Sequence, residues 1–369
     1  MTIKRFRKRD FADRFMLVLN VVALLLLGLS YLAGSVSPAQ FWPLAFAAMA
    51  YPIILISIVA FLIYWAARKR WFFFMNLAFL LAKWDYVAAT AKLIPSSSNS
   101  PSGIKVMSYN VRLFDKYNWS NQANAGTQIE DLILKQKPAI LCIQEFYHSK
   151  NDRSKAPNKL LSNSGLKNIH LKNYFAQRDN KNDFGIATLT SYPILNEGTI
   201  VLKNSRSALT IFTDILVQTD TIRVYNVHLQ SIHLGNDGYQ ALSEILDPED
   251  LKDVQETKLV AGRMKSAFLK RAEQADEIAL HISKSPYPVI VCGDFNDVPT
   301  SYVYQTISTK LKDAFSQAGF GFGITYVRVP FFRIDNVLFS NDFEAKSHQV
   351  HSEEFSDHLA VSATLEKTD

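Results

Sequence analysis

PVIVCGDFND, residues 288–297, is the stretch that decides the fold. Its short apolar run, closed by Gly293, reads as a buried β-strand. Two acids and an amide, Asp294, Asn296 and Asp297, follow at once. Singly, Asp and Asn after a strand are turn formers. The same pattern nevertheless recurs along the chain. Asn110 ends KVMSYN, Glu145 ends AILCIQE, His228 ends RVYNVH, Asp335 follows FFRI, and Asp357-His358 immediately precede LAVSATL.

Working outward, further strands are expected at 104–111, 139–144, 184–189, 209–217, 221–228, 334–339 and 359–365. Residues 240–283 are charged and helix-rich, with apolar residues of SAFLKRAEQADEIALHI at helical spacing. Eight strands with intervening helices predict an α/β or α+β domain on large sheets. Cys142 and Cys292 sit inside apolar runs and read as small core residues, so neither a disulfide framework nor a thiolate metal site is expected.

Acids, amides and two histidines at the ends of successive apolar strands converge at one rim of such sheets. Hard oxygen donors such as Asn110, Glu145 and Asp357 suit Mg²⁺ or Mn²⁺. A histidine beside a carboxylate polarises water or a scissile group. That combination suits phosphate ester hydrolysis, with a metal on the phosphate, an acid-held water, and His and Asn on developing charge.

The N-terminal quarter has a different composition. Phe15–Ala33 is uncharged and long enough to cross a bilayer, since roughly 20 helical residues span ~30 Å. A second apolar run covers about Phe41–Ala67. A third, Trp71–Ala91, is interrupted by Lys83 and Asp85; it is expected to span, the alternative being an amphipathic segment lying on the bilayer surface. Residues 1–92 carry 11 basic and three acidic side chains, leaving a net charge of −2 for 93–369. The basic balance therefore belongs to the membrane region, and a globally basic nucleic-acid-binding body is excluded. Basic residues before the first run, and Arg68-Lys69-Arg70 after the second, mark the cytoplasmic side. Three spans, the favoured count, place the remainder outside the inner membrane; two would leave it in the cytoplasm. Residues 93–103, with the run IPSSSNSPSG, read as a tether to a domain at 104–369.

Asn110 in SYNVR, Glu145 in IQE, His228 in NVHL, GDFND, RIDNVLF and SDH (356–358), in that order, resemble the endonuclease/exonuclease/phosphatase superfamily. The segment 174–194 also looks like that family's stretch before its central histidine, and the apolar N-terminus like its membrane-anchored bacterial members. The resemblance covers about Lys105 to Leu365. It implies a four-layer α/β/β/α sandwich of the DNase I type, in a group that spans nucleases, sphingomyelinases and inositol-polyphosphate phosphatases. It further implies Glu145 as principal metal ligand, helped by Asn110 and Asp357, with Asp294 holding or deprotonating the water and Asn296 donating to a phosphate oxygen. Asp335 would pair with His358, and His228 would be the general acid; its orienting carboxylate is not identified.

Other side chains read blandly: His233 as a loop residue, Arg178, Asn182 and Arg206 as surface groups, Tyr326 and Phe331-Phe332 as packing, and Arg271 and Gln274 as a solvated helix face. The expected function is a membrane-anchored, Mg²⁺- or Mn²⁺-dependent hydrolase of phosphate esters, of nucleic acid or phospholipid. The alternative is an inactive scaffold on the same fold. No protein partner is evident, and the membrane runs offer no solute pathway.

Overall fold

Period-two alternation sets the architecture. In the computed structural model, which describes residues 2–94, 102–149, 158–174, 182–202, 209–232 and 254–368, two six-stranded mixed sheets face each other. The first runs β11–β12–β1–β2–β4–β3, from β1 (Ile104–Asn110), β2 (Ile140–Ser149), β3 (Asn168–Asn173), β4 (Asn182–Thr190), β11 (Phe343–Val350) and β12 (Val361–Lys367). The second runs β5–β6–β7–β8–β10–β9, from β5 (Ile194–Ile200), β6 (Leu209–Val217), β7 (Asp220–His228), β8 (Val289–Asp294), β9 (Lys312–Asp313) and β10 (Asp335–Phe339).

Between the sheets lie Val106, Ile140, Cys142, Val224, Ile290, Cys292, Val337 and Val361, all buried. Cys142 and Cys292 are thus core residues, as expected. On the outer face of the first sheet, Met107, Tyr109, Leu141 and Ile143 pack on the amphipathic helix Ala125–Gln136. On the second, Tyr225, Val227, Val291 and Leu338 pack on the helices Val254–Ser283 and Tyr302–Ile307. The result is the four-layer α/β/β/α sandwich.

Four strands escape the reading of apolar runs: β3, β5, β9 and β11. These are the four sheet edges. Their sequences, such as NIHLKN and FEAKSHQV, are polar because an edge is kept charged to avoid pairing with other chains. The 254–283 helix matches expectation, but its supposedly solvated Arg271 and Gln274 are fully buried. Arg271 Nε donates to Asp297 Oδ2 (3.1 Å), and the Arg271 guanidinium also reaches Gln230 O. Gln274 Oε1 accepts from the Gln230 N–H.

In the N-terminal region, Phe11–Ala33 and Leu44–Ala67 are helices long and apolar enough to cross a membrane. The third run is not one straight helix. It forms Phe72–Ala82 and Trp84–Thr90, bent by 77°. The break is at Lys83 (φ −137°, ψ 56°), whose ammonium sits over the Tyr86 ring, so the charges that interrupt the run also interrupt the helix. The first of these two helices belongs to the bundle. Asn20 and Asn76 exchange hydrogen bonds of 2.8 and 2.9 Å, and Trp65 Nε1 donates to Asn20 Oδ1, joining all three segments through buried polar groups.

At one end of the bundle Asp13 pairs with Arg68 and Arg70. At the other end the sandwich domain is seated. Thr300 Oγ1 donates to Ala48 O (2.9 Å), Val298 packs with Ala33, Leu44 and Ala48, and Phe46 meets Phe268 edge to face. Lys92 and Gly321 exchange backbone hydrogen bonds, and Arg333 Nε donates to Ala89 O. Most of the expected tether, residues 95–101, lies outside the described residues, as do Arg178, Arg206 and His233.

Candidate active site

Strand register brings the polar strand ends together. In the parallel pair β7–β8, His228 stands opposite Asp294; in the antiparallel pair β8–β10, Asp335 stands opposite Asp294. Alternation turns Val224, Asn226 and His228 to one face, and Ile290, Cys292 and Asp294 to the same one. The three functional side chains therefore continue the inner core face, which becomes polar towards the rim. Asn226 bonds Gln144 across the sheets (2.7 Å), in a step between apolar core and charged site.

Backbone conformation fixes the two sharpest placements. Gly293 has φ +148°, and a Cβ there would lie 1.9 Å from Val227 O, so only glycine lets β8 approach β7 at the site. Glu145 has φ +51° and sits at a bulge in β2 between Ile143 and Phe146. Strict alternation would point Glu145 away from the face that holds Gln144; the bulge turns it back towards the site. Asn296, also at positive φ (52°), donates its N–H to Asp294 Oδ1 (2.8 Å) and its amide to Asp294 Oδ2 and Leu229 O (both 3.1 Å).

Asp294 Oδ2 is the hub. It accepts from Asn110 Nδ2 (3.1 Å), with His358 Nε2 at 3.7 Å and His228 Nε2 at 3.8 Å. His228 Nε2 is also 3.9 Å from Glu145 Oε1. These separations are too long for direct hydrogen bonds, so the three groups converge without closing on one another. Burial raises the Asp294 carboxyl above its ordinary range, while His358 pulls it down. For His358 burial alone would depress the imidazolium, but Asp335 (Nδ1 to Oδ2, 3.0 Å) and then Asp294 hold it protonated, up to about 10.

His228 is oriented by a phenol. Tyr174 Oη pairs with His228 Nδ1 at 2.5 Å, in place of the expected carboxylate. Two carboxylate oxygens face Nε2, which favours the tautomer protonated there, with the Tyr174 hydroxyl donating to Nδ1.

Glu145, whose side chain is 32% exposed, presents its carboxylate to the cleft. Burial and then Asp357 raise it above the usual range. A carboxylate whose charge is disfavoured by burial and by a second carboxylate beside it is the donor chemistry a hard divalent cation relieves, so Glu145 with Asp357 fits Mg²⁺ or Mn²⁺. Asn110, expected to help Glu145 hold the metal, stands beside it. Its Oδ1 accepts the Arg112 N–H (3.1 Å), and its Nδ2 donates to Glu145 and Asp294, so in this arrangement it orders the carboxylates. Asp357 is flanked by Arg112 (3.4 Å) and Arg328 (3.5 Å). Asp294, Asp335 and His358 also cluster within 4.8 Å. With Asp335 Oδ2 3.0 Å from His358 Nδ1 and Asp294 Oδ2 3.7 Å from its Nε2, the cluster also forms a carboxylate–imidazole–carboxylate triad.

The Endonuclease/Exonuclease/phosphatase family matches residues 107–358, from the strand that Asn110 ends to His358 itself. The chain belongs to that family. Residues 13–90 match a Domain of unknown function (DUF8431). No curated protein matches by sequence. Among solved structures, the human Nocturnin catalytic domain with bound sulfate is 18% identical, over 73% of this chain and all of that one, at a TM-score of 0.50. A humanized D. rerio TDP2 carrying 14 mutations is 13% identical, over 72% and 100%, also at 0.50. An endonuclease/exonuclease/phosphatase from Beutenbergia cavernae DSM 12333 is 15% identical, over 72% and 71%, at 0.49. The Nocturnin and TDP2 likenesses support the family's fold.

Within this family site, sequence reasoning missed Tyr174, Gln144, Asn226 and the Arg271–Asp297 pair. Alternation along RVYNVH, which puts Asn226 on the same face as His228, was the available signal for one of them. Tyr174 opens the 174–194 segment that resembles the family, but its pairing with His228 depends on a contact across 54 residues.

Proposed function

We propose that the chain is a membrane-anchored, divalent-metal-dependent phosphodiesterase whose reacting centre is Asp294 between His228 and His358. The carrying observation is that both Nε2 atoms stand 3.7–3.8 Å from the same Asp294 oxygen, with Asn296 alongside. Asp294 orients and deprotonates a water, whose oxygen forms the new bond to phosphorus. The His358 imidazolium and the Asn296 amide meet the charge growing on the phosphoryl oxygens. His228, carrying its proton on Nε2, donates it to the leaving oxygen. Glu145 and Asp357, with Asn110 ordering Glu145, would hold a divalent cation, which would supply further positive charge beside the phosphate.

The anchor is the Phe11–Ala33 and Leu44–Ala67 pair plus the bent third segment. We place the catalytic domain outside the inner membrane. The domain sits at the bundle end opposite Asp13, Arg68 and Arg70, and those basic residues mark the cytoplasmic side. Substrates of this chemistry are nucleic acids and phospholipids.

Calorimetric titration of the full chain with Mn²⁺, beside Glu145→Gln, tests the metal assignment. The variant should lose about tenfold or more in affinity and need correspondingly more Mg²⁺ for turnover. Unchanged affinity would remove Glu145 from the metal.

A further inference from the structure

The rim of the sandwich that carries the site is the rim that meets the membrane helices. Ile232 lies four residues beyond His228, Val298 four beyond Asp294, and Phe332 three before Asp335. Ile232 packs on the same Val260, Met264 and Phe268 cluster as Ala45, Phe46 and Met49; Val298 and Phe332 pack with Ala33, Leu44 and Ala48. The site and the seat of the bundle therefore share one rim of the sandwich. A bundle of three helices is about 20–25 Å across, whereas two sheets with a helix layer on each face measure roughly 40 Å. Part of the rim must overhang the bilayer beside the bundle.

An apolar edge lies at that level. Leu93 and Ile94, just past the third segment, are 81% and 77% exposed. Lys92 is backbone-paired to Gly321, whose neighbours Phe320 (66% exposed) and Phe322 are open to the surroundings. The same loop leads to Tyr326, which packs on the His358 ring, and to Arg328 beside Asp357. One continuous segment thus joins the point where the chain leaves the bilayer to the catalytic histidine. Aromatic residues at that depth partition into the membrane interface.

We infer that the cleft opens onto the surface of the bilayer in which the chain is embedded, and that its substrate is the phosphodiester headgroup of a lipid in that bilayer. This rests on the hydrolase reading above and narrows it. Asp294 is 1% exposed and lies at the cleft floor, so the water it holds attacks from the floor. In-line displacement then directs the leaving oxygen to the mouth, where the lipid anchor is. The water oxygen bonds to phosphorus and the bond from phosphorus to the lipid oxygen breaks. The water's proton passes to Asp294, and His228 protonates the lipid oxygen. The products are a lipid alcohol that stays in the bilayer and a phosphomonoester headgroup that leaves to water.

The test uses the full chain reconstituted with Mg²⁺ into vesicles of phosphatidylglycerol, phosphatidylethanolamine, phosphatidylcholine and sphingomyelin. Supercoiled plasmid and the small soluble diester bis(p-nitrophenyl) phosphate are assayed in parallel. The expected result is release of phosphorylated headgroup. In the Phe320→Ser/Phe322→Ser double variant, release should fall about tenfold or more as the loop loses the interface. Its hydrolysis of bis(p-nitrophenyl) phosphate should match that of the unaltered chain. Cleavage of the soluble diester or plasmid with no headgroup release overturns the inference and leaves the hydrolase reading intact. Headgroup release undiminished in the double variant overturns the role of the loop. If no substrate is cleaved, the hydrolase reading itself falls.

Discussion

Nδ1 of His358 stands 3.0 Å from Oδ2 of Asp335, and this pair ties the two sheets together at their catalytic rim. His358 precedes β12 in one sheet, while Asp335 opens β10 in the other. Because the folded protein raises the imidazole to about 10 from an ordinary 6.5, the pair contributes stability that is complete below pH 6.5. That contribution is lost as pH rises through 10. In the metal-free protein, Asp335→Asn should therefore lower the thermal midpoint most at pH 6, and the deficit should close above pH 10. Hydrolysis should fall by about 10²–10⁴. Thermal melts across pH, beside turnover, check both; a deficit constant with pH would contradict the pairing.

Asp294 is held as a buried carboxylate at some expense to the fold. Burial raises its pKa, so ionised Asp294 destabilises the folded state at neutral pH, and this penalty disappears on acidification. Asp294→Asn should keep or raise the melting temperature at pH 7, by roughly 2–4 °C per kcal/mol released, while abolishing turnover. Loss of folding in the variant would show that the carboxylate is structural.

Tyr174 sets the tautomer of His228. Removing its hydroxyl in Tyr174→Phe leaves a buried ring nitrogen without that partner, at about 1–3 kcal/mol. The rate should drop about tenfold or more, with a displaced limb in the pH–rate profile. A rate loss with an unmoved profile would assign Tyr174 to packing alone.

Arg271, fully buried in the long helix, holds Asp297 and the carbonyl of Gln230, the residues that follow Asp294 and His228. Arg271→Met should strand Asp297 as an uncompensated buried acid and destabilise by about 3–5 kcal/mol. Adding Asp297→Asn should restore part of that loss in denaturant titrations; strict additivity of the two would exclude the pairing.

A reporter active only outside the inner membrane, fused after Asp369, should be active. Cytoplasmic-type activity would place the catalytic domain on the other face and remove the stated membrane arrangement.

The sheet interior was legible because KVMSYN, AILCIQE, RVYNVH and PVIVCGD each carry a solid apolar run into a polar residue. NIHLKN and FEAKSHQV were not, since sheet edges are written in polar residues. Asp294, Asp335 and His228 could be grouped from sequence because each adjoins an apolar strand run, Asp294 and His228 at its end and Asp335 at its start. The tasks of Asn110 and Asp357 could not, because they depend on the Arg112 N–H and on two guanidiniums brought in by separate loops. Arg271 misled for a similar reason: a charged residue on a helix is read as solvated unless its buried partner, 26 residues away, is known.

The most direct measurement is hydrolysis of bis(p-nitrophenyl) phosphate by the full chain with Mg²⁺, run beside Asp294→Asn and an EDTA control. Turnover that vanishes in both is the predicted result. Turnover that survives Asp294→Asn, or no turnover by folded, metal-loaded protein, would contradict a hydrolytic centre built on Asp294.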